Sequence, residues 1–567
     1  MSAKGKVPVS KNQEFELVID AVNDQGDGLG RYQGFAIMVP GLLAGEKALV
    51  HVVQVRAHFA YAKIVQVLVS SEDRVDPQCP LNGKCGGCQL GHMSYPAQLA
   101  YKHDKVAEKL IRTGHFSPEE VQSKLAPVTL GMNGDQWQHY RNKAQFPVQI
   151  INGKAEAGFY ALHSHRLLPA YHCLLQSQTA NRMIQDIMEE VRICRLSVYS
   201  EETGKGLLRH VLIRTSSDNK QVSALFVING STLPHQDKWA AFMEREGVTS
   251  FSVNINQANT NVILGRSSKL VYGNQYLTDR MDGLTFQISP ESFYQVNPQQ
   301  TQKLYQTALD FAAIKDSDTV WDAYCGIGTI SLFLARRAKH VYGVEIVPAA
   351  IENAKMNAKA NKIDNVTFYC GSAEKVMPEE YREHGVKADV VVVDPPRSGC
   401  DKALLDTLLD MKPDRIVYVS CDPATLSRDL DYLCHQEKSC YGLVKAQAVD
   451  MFSNTFHVET VALLTRKLSN AKSIVVEIDT DTLKAEKKPP MATYANMRKW
   501  IREELGLKVS AANIAAMKDE LGLEKQFSYE EAGMAAEKRP GIPEEKRQAI
   551  IKAFGHFGLI KPEKDKA

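Results

Sequence analysis

One cysteine has the position that covalent catalysis requires. Cys421 ends an apolar run, RIVYVS, and precedes Asp422-Pro423 and a helical pattern, so its thiol is predicted to lie at a strand end beside a helix N-terminus. The helix dipole there is expected to lower the pKa of the thiol and supply thiolate at neutral pH. A buried structural cysteine is the alternative and the commoner fate of a single cysteine.

A carboxylate stands in the next apolar run, FHVETVALL, as Glu459. An acid inside such a predicted strand is costly unless it is paired or used. Glu459 is therefore a candidate general base. Together with Cys421 it would form the nucleophile and base of a covalent mechanism.

A glycine turn marks a candidate ligand site. The run TVWDAY leads into Cys325-Gly326-Ile327-Gly328 and then a helical pattern, and Glu345 ends the next predicted strand, 17 residues after Gly328. An acid at that place can accept the hydroxyls of a ribose. A dinucleotide fingerprint would have a third glycine where this chain has Ser331. The pattern thus disfavours a pyrophosphate ligand and favours S-adenosylmethionine; a purely structural turn is the alternative.

A second motif is predicted at the same edge of the sheet. Asp394-Pro395-Pro396-Arg397 follows the apolar run DVVVV. An ordinary strand-ending turn would explain it, but its position opposite the glycine turn favours a role in a catalytic cleft.

Three cysteines form a separate cluster, Cys79-x5-Cys85-x2-Cys88, on a glycine-rich segment. The chain has 11 cysteines and its first residues carry no apolar export signal, which favours metal binding or catalysis over disulfides. The spacing is compatible with zinc and with an iron–sulfur cluster, and a fourth ligand must come from elsewhere.

The bulk properties predict several soluble domains. The chain has 567 residues, of which 44% are hydrophobic, and no apolar run is long enough to span a membrane. We expect a cytoplasmic protein. Because 68 Lys and Arg face 66 Asp and Glu, any nucleic-acid surface must come from local clustering of basic residues.

The hydropathy pattern predicts the elements that position these residues. Short alternating runs with glycine turns over residues 14–69 favour a small OB-type β-barrel, and helical spacing follows over 95–128. Strand-like runs alternate over 138–290. After Asp316 a repeated strand, turn and helix pattern predicts an α/β fold with a doubly wound parallel sheet.

The last segment, from Lys467, contains the charged run KKPP and two helical runs, YANMRKWIREELGL and SAANIAAMKDELGL. It has 19 Lys and Arg against 16 Asp and Glu. Two helices joined by a short turn could form a helix-turn-helix module that binds RNA or protein. A plain helical appendage is the alternative.

Taken together, these motifs resemble the bacterial RNA uridine-5-methyltransferases of the TrmA/RumA type, especially the branch that acts on 23S ribosomal RNA. The resemblance covers residues 14–466 and rests on SCDPATLSRDL, DMFSNTFHVETVALL, FYQVNP and DAYCGIGT. One departure is Ser453-Asn454, where many relatives have Pro-His. It puts no catalytic residue in doubt.

The resemblance implies a mechanism and a cofactor site. Cys421 would add to carbon 6 of uracil, and Glu459 would remove the proton from carbon 5 after methylation. Contacts with S-adenosylmethionine are implied for Gln295, Tyr324, Glu345 and Asp394. The target uridine must leave its stack to reach Cys421.

The resemblance also implies a 4Fe-4S cluster that serves structure or RNA positioning, with the ligands Cys79, Cys85, Cys88 and Cys173. The barrel resembles a TRAM domain that binds RNA, and Gly28, Gly30 and Pro40-Gly41 fit its pattern. Residues 140–143, Tyr-Arg-Asn-Lys, are a candidate RNA contact; a solvated basic turn is the alternative.

Four units are expected: a TRAM domain at 10–72, a central iron–sulfur domain at 73–290, a Rossmann-like methyltransferase domain at 291–466, and a helical extension at 467–567. The helical part at 94–128 is expected to pack on the catalytic domain. A monomer is expected.

Three other interpretations compete. The first is the same reaction on transfer RNA, whose enzymes often lack the barrel and the cysteine cluster. The second is an adenine or guanine amino-methyltransferase, but that chemistry usually has an aromatic residue where this chain has Arg397, and it does not need Cys421 or Glu459. The third is a non-catalytic RNA-binding or iron–sulfur protein, which the intact Cys421, Glu459 and Asp394 disfavour.

Overall fold

A computed structural model describes residues 7–129, 138–162, 164–467, 493–521, 523, 541–557 and 559–560. The KKPP run lies outside these ranges. Within them, no helix combines the length and the apolar character needed to cross a membrane.

The first unit is a closed barrel in which the strands neighbour each other in the order β1-β2-β3-β5-β4. Its strands are β1 (Glu14–Val22), β2 (Asp27–Tyr32), β3 (Phe35–Pro40), β4 (Lys47–Val55) and β5 (Phe59–Val69). Gly30 is required by close packing, because a Cβ atom there would lie 2.4 Å from the carbonyl oxygen of Val18. The expected barrel is confirmed.

A helical linker follows the cysteine loop and joins the catalytic unit. It consists of α1 (Tyr95–Arg112), α2 (Pro118–Lys124) and the strand β6 (Leu125–Thr129). Ser117 and Glu120 form a capping box that begins α2. Leu99, Val106 and Leu110 of α1 lie in the main hydrophobic core of the catalytic unit.

The central unit is built on a seven-stranded sheet with the order β13-β12-β11-β10-β7-β8-β9 and a separate hairpin, β14-β15. Its elements are β7 (Lys143–Ile151), β8 (Lys154–Tyr160), β9 (Leu167–Pro169), α3 (Gln178–Ile193), β10 (Leu208–Thr215), β11 (Val222–Ile228), α4 (Gln236–Arg245), β12 (Ser250–Ile255), β13 (Ser267–Gly273), β14 (Leu277–Met281) and β15 (Leu284–Ile288). The two helices pack on the sheet around a core of their own.

The catalytic unit is an eight-stranded sheet with the order β18-β17-β16-β19-β20-β22-β21-β6. Its elements are α5 (Pro298–Ala312), β16 (Thr319–Ala323), α6 (Thr329–Ala335), β17 (His340–Glu345), α7 (Pro348–Ala360), β18 (Val366–Cys370), α8 (Ala373–Glu383), β19 (Val390–Val393), α9 (Lys402–Met411), β20 (Arg415–Ser420), α10 (Pro423–His435), β21 (Tyr441–Val449) and β22 (Glu459–Arg466).

The expected doubly wound parallel sheet is present only in part, because one side of the sheet contains an antiparallel strand. Five strands from β18 to β20 are parallel, but β22 runs antiparallel to both β20 and β21. The loop 450–458 between β21 and β22 is too short for the crossover that a parallel pair needs, so β22 must turn back beside its predecessor.

In its described residues, the C-terminal segment forms the helices α11 (Tyr494–Leu505), α12 (Ala511–Glu520) and α13 (Glu544–His556). Its apolar side chains, including Met497, Ile501, Ile514 and Phe554, join the same core as α1. The two helices expected from the sequence are present. The extension is therefore packed on the catalytic unit.

Candidate active site

The antiparallel pair β20 and β22 brings the two predicted catalytic residues together. Its register pairs Ser420 with Thr460 as the last partners. The next residue on each side is Cys421 and Glu459, so the two lie opposite each other at the end of the sheet. Glu459 begins β22 instead of lying inside it, and its side chain is buried.

Three parallel strands bring the predicted cofactor residues to the same edge. The strands β17, β16 and β19 are in register up to their carboxyl ends. The residues at those ends are Glu345, Tyr324 and Asp394. Across the sheet, the order is therefore cofactor residues first, then Cys421 on β20 and Glu459 on β22.

The turn around Cys421 is held by its neighbours. Asp422 is the N-cap of α10 and accepts hydrogen bonds from the backbone amides of Ala424 (2.8 Å) and Thr425 (3.3 Å). The backbone amide of Asp422 donates to the hydroxyl of Ser420 at 3.1 Å. These contacts fix the direction in which the half-buried thiol projects.

The pKa of Cys421 contradicts the expectation from the helix dipole. Burial, together with the negative charges of Glu459 and Asp394, raises the thiol pKa to about 11. Arg397 lowers it. Burial and two carboxylates therefore outweigh the helix N-terminus in the free protein. The thiol with this pKa is protonated at neutral pH, and Arg397 is the cation that opposes the shift.

The two carboxyl groups beside the thiol also have shifted pKa values. Burial and the charge of Asp394 raise the pKa of Glu459, Arg397 opposes them, and the resulting pKa is about 8. Burial raises the pKa of Asp394 to about 7. Both groups can hold or release a proton near neutrality, which is the range that proton transfer in catalysis requires.

The glycine turn leaves space for a ligand on one side only. At Gly326 (φ +55°) an added Cβ atom would meet nothing within 4 Å, whereas at Gly328 (φ +81°) it would lie 3.1 Å from Ala354 and 3.2 Å from Phe368. The Glu345 carboxylate accepts the backbone amide of Gly326 at 3.2 Å. Gly328 thus lets α6 pack closely, and Gly326 faces open space.

An apolar surface lies beside this turn. Ile346 is 64% exposed and Val347 is 49% exposed, directly after Glu345. Exposed aliphatic side chains next to a carboxylate that can bind ribose hydroxyls match the base and sugar of an adenosine. The residues therefore fit S-adenosylmethionine.

Near the glycine turn, the side-chain hydroxyls of Tyr324 and Ser331 both donate hydrogen bonds to carboxylates of the protein. The hydroxyl of Tyr324 donates to Glu374 at 2.5 Å, which leaves its ring and backbone for a ligand. Ser331, which stands where a dinucleotide fingerprint has glycine, donates its hydroxyl to Asp322 at 2.5 Å. Burial raises the pKa of Asp322 to about 7. Asp322 was missed by the sequence analysis, although it belongs to the DAYCGIGT motif.

Gln295 lies in the loop between β15 and α5 and is buried. Its backbone carbonyl accepts the side-chain amide of Asn142 at 3.1 Å, and Asn142 in turn donates its backbone amide to Val296 at 2.8 Å. The candidate RNA-contact segment therefore holds the loop that carries Gln295. No residue of the described ranges hydrogen bonds the side-chain amide of Gln295.

The loop 450–458, which leads to Glu459, is held from outside the sheet. Gln98 of α1 accepts the backbone amide of Asn454 at 2.8 Å. The carbonyl of Asn454 accepts the backbone amide of Leu90, next to the cysteine cluster, at 2.9 Å. Asn454 has a φ of +64°, a left-handed conformation in which Asn is among the tolerated residues. The departure from the family's Pro-His pattern thus lies at a contact between three segments.

The four predicted metal-binding cysteines line one cavity of about 650 Å³: Cys79, Cys85, Cys88 and Cys173. Burial raises the pKa of the Cys88 thiol, and the charges of the other three raise it further. In the part of the chain that the structure describes, no three His, Cys, Asp or Glu side chains converge on a single-ion site. The four thiols face this shared cavity, which is the only part of the expected metal site that the geometry gives.

Two known families match parts of this chain. Residues 119–467 match the family described as tRNA (Uracil-5-)-methyltransferase, and residues 8–65 match the TRAM domain. The extension beyond residue 467 lies outside both matches.

Individual relatives cover most of the chain. An uncharacterized RNA methyltransferase of Clostridium tetani is 44% identical over 464 residues, which are 82% of this chain and 98% of the relative. One from Halalkalibacterium halodurans is 45% identical over 467 residues, 82% of this chain and 100% of the relative. A solved structure, the tRNA (uracil-54, C5)-methyltransferase of Pyrococcus abyssi in complex with S-adenosyl-L-homocysteine, is 26% identical with a TM-score of 0.62, and the match covers 80% of this chain and 100% of that one. This chain therefore belongs to the S-adenosylmethionine-dependent RNA uracil-5-methyltransferase family and carries an N-terminal TRAM domain.

Proposed function

We propose that this protein methylates carbon 5 of a specific uridine in 23S ribosomal RNA, with Cys421 as nucleophile and Glu459 as general base. The observation that carries the proposal is the register of β20 and β22, which places these two residues opposite each other beside the glycine turn. Gln295, Tyr324, Glu345 and Asp394 are the proposed cofactor contacts.

The first step is the addition of Cys421 to the base. The Sγ thiolate forms a bond to carbon 6 of uracil, and the electron pair of the C5–C6 double bond makes carbon 5 nucleophilic. The thiol proton must leave first. Arg397, which lowers the pKa of Cys421, is the cation that favours the thiolate.

S-adenosylmethionine, when bound, supplies the methyl group as an electrophile for carbon 5. Glu459 then takes the remaining proton from carbon 5, the C5–C6 double bond forms again, and the bond from Sγ to carbon 6 breaks to release thiolate. The Glu459 carboxyl group must be ionised when it takes that proton. Its pKa of about 8 means that this step becomes faster as the pH rises through that value.

A second candidate substrate is a transfer RNA uridine. It is favoured by the similar structure from Pyrococcus abyssi, whose name specifies tRNA and uracil 54. The barrel and the four-cysteine cavity favour ribosomal RNA, because the resemblance associates both features with that branch.

The test is methylation of unmodified 23S ribosomal RNA and transfer RNA transcripts by the purified protein, with 5-methyluridine mapped by mass spectrometry. We expect wild type to modify one uridine of 23S ribosomal RNA. Cys421→Ala should have no activity, whereas the control Cys440→Ala should keep it, because Cys440 precedes β21 at the opposite end of the sheet. Glu459→Gln should accumulate a covalent adduct between protein and RNA.

The results of this test distinguish the two candidate RNA substrates and check the covalent mechanism. Product only in transfer RNA would replace the ribosomal substrate by the second candidate. Full activity of Cys421→Ala would overturn the covalent mechanism, and no product in either RNA would overturn the reaction itself.

The cysteine cavity is the proposed site of a 4Fe-4S cluster. Its thiols would hold the four iron atoms, and the cluster supplies a rigid cross-link between the loop 79–88 and residue 173. Uridine methylation needs no electron transfer, so the role is structural or RNA-positioning.

Anaerobic purification followed by iron and sulfide analysis tests the cluster. Wild type and the control Cys194→Ser should contain roughly four iron atoms per chain. Cys88→Ser should lose them. Zinc without iron in wild type would refute the cluster.

We propose a separate role in RNA methylation for each unit of the chain. Residues 10–72 and 73–290 bind and position RNA, residues 291–466 carry the chemistry, and residues 467–567 are an added helical module. The proposed active form is a monomer, because the paired catalytic residues come from one chain.

A further inference from the structure

A polar cavity of about 410 Å³ lies between the central sheet and the start of α5. It shares Arg141 with the cysteine cavity and contains no residue of the glycine turn. Arg141 and Asn142 line one side, Thr215 and Arg280 line another, and Gln299 of α5 completes it. None of these residues has a role in the proposed chemistry, so the cavity needs its own explanation.

One residue that lines this cavity, Asn142, has a buried acceptor without a hydrogen-bond partner in the described ranges. Asn142 is 5% exposed, and its amide nitrogen is used by the carbonyl of Gln295. Its Oδ1 atom has no hydrogen-bond partner within the described ranges. A buried acceptor without a donor is unfavourable, so a ligand that offers an N–H or O–H group would be stabilised here.

The rim of the cavity carries uncompensated positive charge. Asp282 is acidic, but its carboxylate pairs with Arg336 at 2.8 Å. The exposed guanidinium of Arg280 forms no ion pair with any residue that the structure describes, and the same holds for Arg141. Two unpaired guanidinium groups around a polar cavity favour a phosphate, which they can bind through charge-assisted hydrogen bonds.

The cavity is close to the catalytic residues. The guanidinium of Arg141 lies 5.9 Å from the ring centre of Phe452, in the loop that leads to Glu459. Arg141 and Arg397 both lower the pKa of His457, and Arg397 also acts on the Cys421 thiol. Arg141 thus lies between the cavity and the loop that leads to Glu459.

We propose that this cavity binds a second unpaired nucleotide of the substrate RNA, close in sequence to the target uridine. Arg280 and Arg141 bind its phosphate, and Asn142 Oδ1 accepts a hydrogen bond from a base amino group or a 2′-hydroxyl. This inference rests on the proposed RNA methylation. It adds a determinant of substrate choice, because a substrate must present two unstacked nucleotides at once.

The test uses Arg280→Gln in the full-length protein, with the RNA that wild type methylates. We expect the KM for RNA to rise on the order of tenfold, because one phosphate contact is lost, while kcat at saturating RNA is unchanged. The slope of log affinity against log salt should fall by about 0.7–0.9. Arg280→Lys should restore much of the affinity.

The control is Arg266→Gln, which removes an exposed arginine before β13 that does not line the cavity. It should leave KM and the salt slope unchanged. Equal KM values and salt slopes for Arg280→Gln and wild type would overturn the inference. Failure of wild type to methylate either RNA would instead overturn the proposed function.

RNA substitutions then identify the nucleotide. One neutral methylphosphonate linkage within three nucleotides of the target, which removes the phosphate charge that Arg280 binds, should raise the KM of wild type and have no further effect on Arg280→Gln. A 2′-deoxy substitution at that position separates the two donors: a raised KM indicates the 2′-hydroxyl, and an unchanged KM indicates the base. Additive effects at every position would contradict a shared site.

Discussion

Lys102 of α1 and Asp450 of the loop before Glu459 form an ion pair that is closed to solvent, although 348 residues separate them in sequence. The Lys102 ammonium also donates to the carbonyl of Phe452 at 2.9 Å, and the hydroxyl of Tyr95 donates to the Asp450 carboxylate at 2.8 Å. The pair therefore holds the loop that sets the position of Glu459.

Asp450→Asn should destabilise the protein strongly, because it leaves the buried ammonium of Lys102 without its counter-charge. We expect the free energy of unfolding to fall by about 3–5 kcal/mol in chemical denaturation. The double variant Lys102→Met/Asp450→Asn should recover much of the loss, since it removes both charges. The exposed pair of Lys47 and Glu16 is the control, and Lys47→Gln should cost less than about 1 kcal/mol. If Asp450→Asn lowered the free energy of unfolding no more than Lys47→Gln does, the buried pair would be dispensable for stability.

The pH dependence of adduct release should report Glu459. Its folded pKa is raised to about 8, so the base is mostly protonated at pH 7 and mostly ionised at pH 9. Release of product from the covalent adduct should therefore accelerate between these values. Arg397→Gln removes a charge that lowers the pKa of Glu459, so the rise should move to higher pH. Single-turnover kinetics across pH 6–10, an interval set about two units either side of that value, measures this. A release rate independent of pH would exclude Glu459 as the base.

Replacing the two glycines of the turn by alanine should have different effects: one variant should lose stability, and the other should bind the cofactor less well. Both have positive φ angles, which costs about 1–2 kcal/mol for a side chain. Gly328→Ala also crowds Ala354 and Phe368, so its total loss of stability should reach about 2–4 kcal/mol. Gly326→Ala has free space around its Cβ atom, and that space is where the ligand is expected. Its main effect should be a raised KM for S-adenosylmethionine, and thermal denaturation beside steady-state kinetics separates the two. The prediction would be refuted by a larger stability loss at Gly326.

The C-terminal extension should stabilise the connection between the barrel and α1. The guanidinium of Arg498 in α11 pairs at 2.9 Å with Asp73, whose side chain is 5% exposed. Arg498→Gln leaves this carboxylate buried without a cation. We expect limited proteolysis between the barrel and α1 to become several-fold faster. Arg547→Gln, which breaks the exposed pair with Glu520, should leave the cleavage pattern unchanged. Identical cleavage of all three proteins would assign the extension another role.

Local features of this protein can be predicted from its sequence alone. The run RIVYVS followed by Cys-Asp-Pro predicts a strand, a turn and a helix, and the structure places Cys421 at that turn. The same holds for the glycine turn before α6 and for the barrel strands, because hydrophobic periodicity and turn residues act over a few positions.

Contacts between distant residues, and the effect of their charges on nearby pKa values, depend on the tertiary fold. The pairing of β20 with β22 put Glu459 opposite Cys421, and α1 supplied Lys102 to a loop far along the chain. The pKa of Cys421 rose, against the expectation from its helix, because burial and nearby carboxylates act through space. Spacing along the chain records neither the burial of a group nor the charges around it. These properties arise when the strands pair and the core closes.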